Sequence, residues 1–310
     1  MRIPRFLPLA ALAALAACAA SPPAPPPRPD CGLAGRTELS LLAAAPFPLM
    51  RVEVGEATLR LVVDTGDAET VLSEAAARRA HLAPDYRHSL RATGVGGTAV
   101  YPTARAGSLL AGPLQLGPAT VTLLPRVPVG DGNLGMNVLG ADDLDLDLPA
   151  GRIALWHGTL CPGALPPWPQ KASEVPAVPV VVPGVAAGAR PHQMLLRIRL
   201  DGHDALALLD TGSDQSLVRW SFAVRAGVSE TALAGAEKVR LSGLSPEEST
   251  GRMWRFRSLA VGGGDMRDPT LLVAHLPGAP FDVLLGNDFL ATHRVWLSYR
   301  SQRAFVAPAP

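Results

Sequence analysis

Two tripeptides of the form Asp-Thr-Gly, Asp64-Thr65-Gly66 and Asp210-Thr211-Gly212, lie 146 residues apart. Each closes an apolar run, Leu61-Val62-Val63 in one case and Ala207-Leu208-Leu209 in the other, so each Asp ends a predicted strand. Two carboxyl groups brought to within about 3 Å cannot both be ionised; they share one proton and titrate as a coupled unit. One is then a base while the other is an acid. Such a pair can take a proton from a water that attacks a carbonyl, and hydrogen-bond the carbonyl oxygen as it becomes a tetrahedral hydroxyl, with no covalent intermediate. Asp64 and Asp210 are the candidate catalytic residues.

The elements that must bring the two together repeat at the same offset. Met50-Arg51-Val52-Glu53-Val54 lies over Leu196-Arg197-Ile198-Arg199-Leu200, so each motif follows a strand, a turn and a second apolar strand. Downstream, Val138-Leu139-Gly140-Ala141-Asp142 lies over Leu284-Leu285-Gly286-Asn287-Asp288, which places Gly140 and Gly286 each 76 residues after its Asp. Gly94-Val95-Gly96-Gly97 and Ser242-Gly243-Leu244-Ser245 read as hairpin tips. Leu72 to Ala80 reads as a short helix with Ser73 as its N-cap, and Arg219 to Ala226 as its weaker counterpart. The prolines from Pro162 to Pro191 predict a linker with one edge strand near Val178 to Val182, because proline is tolerated only at the edge of a sheet. The expected fold class is all-β, two tandem β domains in one chain, with lobes over residues 47–160 and 192–310 and a linker over 161–191.

In its two Asp-Thr-Gly segments and the two later apolar-apolar-Gly segments, the chain resembles the aspartic peptidases, and among them the retropepsin-like group often found in bacteria. The resemblance covers roughly residues 47 to 308. It implies a pseudo-twofold bilobal enzyme in which each lobe supplies one Asp and the segments at Gly140 and Gly286 cross beneath the two loops. It also implies that Thr65 and Thr211 turn inward and hydrogen-bond across the lobe interface. Gly66 and Gly212 leave room where a Cβ would obstruct the site. Gly94, Gly96 and Gly97 would form a flap over bound peptide, with Tyr101 adding an aromatic contact, although a plain turn reads equally well there. Ser242 and Gly243 would form a second flap or a blunt loop. The residue after the motif is usually small in the family: Ser213 fits and Asp67 does not. A third carboxylate so near the pair would push its apparent pKa values upward if charged, or have no effect if turned to solvent. Both half-sites lie in one chain, so a monomer acting on a peptide or protein substrate is expected, with an extended peptide binding as a strand.

Nearly half of the 310 residues are hydrophobic, at 48%, which supports a substantial core, and a formal net charge of +1 with no run of like charge excludes a nucleic-acid footprint. At the start, Arg2 and Arg5 precede a short apolar stretch, Phe6 to Ala17, of export-signal type. Leu15-Ala16-Ala17-Cys18 resembles the lipobox of bacterial lipoproteins. That resemblance implies a signal over 1–17, a lipidated Cys18 on a Pro-rich tether over 18–46, and a periplasm-facing body held at the membrane, in the outer membrane given Ala19. Cys31 and Cys161 then remain, and in an exported chain they are expected to pair as a disulfide. No Cys or His cluster has metal-ligand spacing, so neither metal nor cofactor is expected. Asp142, Asp143, Asp145 and Asp147 lack the Gly and terminal Glu of a calcium loop and read as a solvated strand edge. Asp142 and Asp288 read as N-caps of short helices after Gly140 and Gly286, and Trp220, Trp254 and Trp296 as packing between β layers. The competing function is a non-catalytic peptide-binding envelope lipoprotein of the same fold, which intact Asp64 and Asp210 disfavour.

Overall fold

The structure is a computed structural model that describes residues 31–43, 45–112, 114–180, 193–243 and 249–309. The leader, Cys18 and the proline run that follows it lie outside the described residues. Strand Leu49–Val54 buries Met50, Val52 and Val54 and exposes Arg51 and Glu53, the period-two pattern of a sheet with one face in a core. Its repeat, Gln193–Leu200, buries Leu196, Ile198 and Leu200 and exposes Arg197 and Arg199. Each heads an antiparallel hairpin, with Ala57–Val63 and His203–Leu209 respectively, and the second strand of each hairpin runs into its Asp-Thr-Gly.

Around these hairpins grow two ten-stranded sheets that share one strand order. In the first, the strands Asp85–Gly94 and Gly97–Ala106 lead to Ala119–Leu124, Thr70–Ser73, Gly132–Leu134 and then the hairpin. In the second, Lys238–Leu241 and Ser249–Arg255 lead to Thr270–Ala274, Leu217–Arg219, Val283–Leu285 and its hairpin. The chain is therefore all-β with two tandem lobes of like topology. Helix Glu74–Arg79 starts where expected: the Ser73 hydroxyl accepts from the Ala76 N–H.

A third sheet, invisible in the repeat pattern, joins the halves. Its six strands run in the order Gly32–Glu38, Arg152–Thr159, Asp143–Asp147, His293–Ser298, Arg303–Pro308 and Ser173–Val175. Gly32–Glu38 falls within the stretch read as tether, and Ser173–Val175 within the stretch read as linker. The edge strand expected near Val178 is Ala177–Val180, which pairs with Gln193–Leu200 and places Pro179 opposite Met194. A Cys31–Cys161 disulfide ties the start of the third sheet to the end of strand Arg152–Thr159, with Cα atoms 4.9 Å apart.

The acidic run does not form a solvated edge. Strand Asp143–Asp147 is flanked on both sides in this sheet, so every residue in it is buried. Leu144 and Leu146 enter the main core, while Asp143, Asp145 and Asp147 face the other way. There Arg294 lies over the Trp168 ring and binds Asp145 through both oxygens at 2.9 and 2.7 Å. The Trp156 and Trp168 indoles also donate to Asp145, and Trp296 donates to Asp143. Trp296 is thus buried as expected, but as a hydrogen-bond donor to an acid. Trp254 packs against the main core, and Trp220 stacks on His275 with ring centroids 4.6 Å apart.

Candidate active site

Each Asp-Thr-Gly loop is hung from a neighbouring strand by one backbone bond. The Asp64 N–H donates to the Leu134 carbonyl at 3.0 Å, and the Asp210 N–H to the Leu285 carbonyl at 2.9 Å. The supporting strands are Gly132–Leu134 and Val283–Leu285, each parallel to the strand that carries the motif.

The two loops interlock through their threonines. The Thr65 hydroxyl donates to the Leu209 carbonyl at 2.8 Å and accepts from the Thr211 N–H at 3.2 Å. Reciprocally, the Thr211 hydroxyl donates to the Val63 carbonyl at 2.5 Å and accepts from the Thr65 N–H at 3.0 Å. Four bonds between buried groups fix the loops against each other. The glycines are exchanged in the same sense: a Cβ on Gly66 would overlap the Asp210 carboxyl, and one on Gly212 would overlap that of Asp64. Their requirement is close approach, since neither has a positive φ.

The Asp64 and Asp210 carboxyls meet at the lobe interface, each lying against the opposite loop's glycine and shifting the other's pKa, yet their surroundings differ. Asp64 accepts from the N–H groups of Gly66 (2.8 Å) and Asp67 (3.1 Å) through one oxygen and from Asn133 Nδ2 (2.7 Å) through the other. Among the described residues, the Gly212 N–H is the one backbone group that donates to the Asp210 carboxyl, at 2.8 Å. Burial raises the pKa of both carboxyls. For Asp64 the donors oppose that rise. Asp210 lies well above the ordinary carboxylate range because the negative charges of Asp64 and Asp67 add to burial. Asp67 is likewise pushed well up, by burial first and then by Asp64. It turns inward: the same Asn133 Nδ2 that binds Asp64 donates to Asp67 Oδ2 at 2.7 Å. Ser213, at the matching place, donates to the Gln215 carbonyl and adds no charge.

The supporting glycine in the first lobe is Gly135, not Gly140. Gly135 and Gly286 are the N-caps of helices Met136–Leu139 and Asn287–Leu290, and Gly140 only ends the first of these. Thr70 Oγ1 accepts from the Gly135 N–H and donates to Asn137, and Ser216 Oγ accepts from the Gly286 N–H and donates to Asp288, which verifies the equivalence. Helix Glu230–Gly235 has no counterpart in the first lobe and lengthens the second spacing. Asp288 consequently lies inside its helix rather than at the cap, and Asp142 follows the helix and pairs with His157 at 3.0 Å. Asn133 was not singled out in the sequence; once Gly135 is aligned with Gly286, it stands out as the polar counterpart of Leu284.

Gly94, Gly96 and Gly97 shape the tip of the long hairpin Asp85–Ala106, with φ of 98° and 122° at Gly96 and Gly97. Val95 at this tip reaches the second lobe, where it packs beside Gly243 and against an apolar cluster that includes Leu217, Leu272 and Leu284. Tyr101, on the second strand of this hairpin, is buried against Val71 and Leu124. Among the described residues no group of acidic, His and Cys side chains could hold a metal ion, and no helix is long and apolar enough to cross a membrane.

Two like β lobes meeting at a pair of contacting carboxyls define the aspartic-protease class. The aspartyl protease family model matches residues 50–138 and 196–289, and the chain belongs to that family. In fold it is similar to the crystal structure of aspartic proteinase from Irpex lacteus, with a TM-score of 0.53 and 13% identity over 89% of this chain and 98% of the other. A search of curated proteins finds no match.

Proposed function

We propose that this protein is an aspartic endopeptidase that hydrolyses peptide bonds with a water activated between Asp64 and Asp210. The observation that carries this reading is the contact of the two carboxyls at the lobe interface, with unequal hydrogen bonding. Three donors favour the ionised form of Asp64, which acts as the base toward the attacking water. Asp210 keeps its proton and donates it to the carbonyl oxygen as the tetrahedral species forms; collapse then returns a proton to the leaving amine. The threonine interlock holds the distance between the carboxyls, so that no reorganisation is needed during the reaction. Incubating the full chain with a mixed peptide library, with and without a statine-type transition-state inhibitor, tests the reading. Cleavage blocked by the inhibitor is expected. Peptide binding without cleavage would show a binding module.

Asp67 gives the pH profile a direction. Once Asp67 has lost its own raised proton, its negative charge helps Asp210 to hold the catalytic proton as pH rises further, so Asp67→Asn is expected to move the alkaline limb of kcat/KM to lower pH. An alkaline limb that stays in place, measured on one cleaved peptide, would show that Asp67 does not act on the pair.

A further inference from the structure

The site is symmetric in its backbone and asymmetric in what lines it. In the first lobe Asn133 stands opposite Val71, Val71 beside Thr122, and Thr122 opposite Thr103. In the second lobe the matching row is Leu284, Leu217, Leu272 and Met253. Residues facing one another across adjacent strands point to the same side of a sheet, so each row is one surface. Both rows lie on the face away from the main core: Leu72, Val121, Leu123 and Leu134 enter that core, as do Val218, Val273, Val283 and Leu285, while the rows do not. The first row begins at the reacting pair, since Asn133 binds Asp64. The second lies under the hairpin tip, since Val95 packs on it.

Both rows are covered in this structure, Val71 by Tyr101 and Leu124 and the leucines by Val95. An extended peptide laid over the pair with the hairpin tip raised would therefore meet one wall with Asn133 first and Val71, Thr122 and Thr103 behind it, and another with Leu284 first and Leu217, Leu272 and Met253 behind it. Asp67 adds an acceptor at the foot of the first wall, where the second has Ser213. An apolar wall gains by covering a large aliphatic or aromatic side chain. A wall with buried hydroxyl, amide and carboxyl groups favours a side chain that can bond them and disfavours one that strips them of water.

We propose that the two walls give the enzyme unlike subsites, so that it cuts between one large apolar residue and one residue whose side chain carries a hydrogen-bond donor, such as Asn, Gln, Ser, Thr or Lys. This rests on the peptidase reading. Cleavage of a library randomised on both sides of the scissile bond, sequenced by mass spectrometry, tests it. The expected profile has one flanking position enriched about tenfold or more in Leu, Met and Phe, and the other enriched as strongly in donor-bearing side chains over Leu. Thr122→Leu leaves the partners of Asp64 in place and is expected to turn the second preference toward apolar residues. The reciprocal Leu272→Thr is expected to weaken the first, which keeps the test open if one variant does not fold. Inhibitor-blocked cleavage with large apolar residues preferred on both sides would overturn the unlike subsites while leaving the peptidase reading intact. A wild-type chain that neither cuts peptides nor binds the inhibitor would overturn both.

Discussion

Asn in place of either Asp64 or Asp210 is expected to lower kcat/KM for peptide cleavage by at least about 10³-fold, since in the proposed mechanism each carboxyl carries a proton transfer worth roughly 10²–10⁴ and also holds the water. The double variant is expected to be little worse than either single one, because the two groups act as a unit. Folding should not suffer. A carboxyl whose pKa is raised by burial favours the native state fully below the ordinary carboxylate range, and that contribution is lost as pH rises through the raised value. An amide at Asp210 is neutral throughout, so Asp210→Asn is expected to be at least as stable as the parent at pH 8 and to lose less Tm between pH 5 and pH 8. Thermal unfolding at both pH values, beside the activity assay, separates loss of chemistry from loss of fold. A variant that keeps activity within tenfold would remove that Asp from the mechanism.

The parts of the site that the sequence makes legible are those with one permitted solution. Asp-Thr-Gly needs a glycine because the opposite carboxyl occupies the space of a Cβ, and a threonine because its hydroxyl must both donate and accept across the interface. Those demands are the same in both lobes, so they repeat at a fixed offset. Gly135 was hidden for the opposite reason. The helix Glu230–Gly235 breaks the offset between motif and support, and Gly140 happens to stand where an unbroken offset points. The third sheet left no trace because its strands come from both ends and the middle of the chain, a pairing that no local pattern encodes. In sequence the acidic strand reads as solvated because alternation of Asp and Leu has the period of a half-exposed strand. Its polar face is covered by Trp156 from the next strand and by Trp168, Trp296 and Arg294, which are more distant in sequence.

That covered face makes Arg294→Met the substitution expected to cost the most stability. Arg294 is buried and forks onto Asp145 through Nε and Nη2, with Nη1 3.6 Å from Asp147. Removing it strands a buried carboxylate among Asp143 and Asp147, and breaking a buried pair from one side costs about 3–5 kcal/mol. For a body of this size, that lowers Tm by on the order of 10 °C. Adding Asp145→Leu removes the stranded charge but leaves the Trp156 and Trp168 indole N–H groups without that acceptor, a further cost of about 1–3 kcal/mol each if they find no other partner. The double variant is therefore expected to regain only part of the loss. A Tm within about 3 °C of the parent for Arg294→Met would mean that the acids are held well enough by their other partners, the indoles, Arg152 and the Leu160 N–H among them. Because Asp145 and Arg294 are 149 residues apart and lie on the adjacent strands that join the two halves, the loss should appear as one cooperative transition at lower temperature, not as early melting of one lobe.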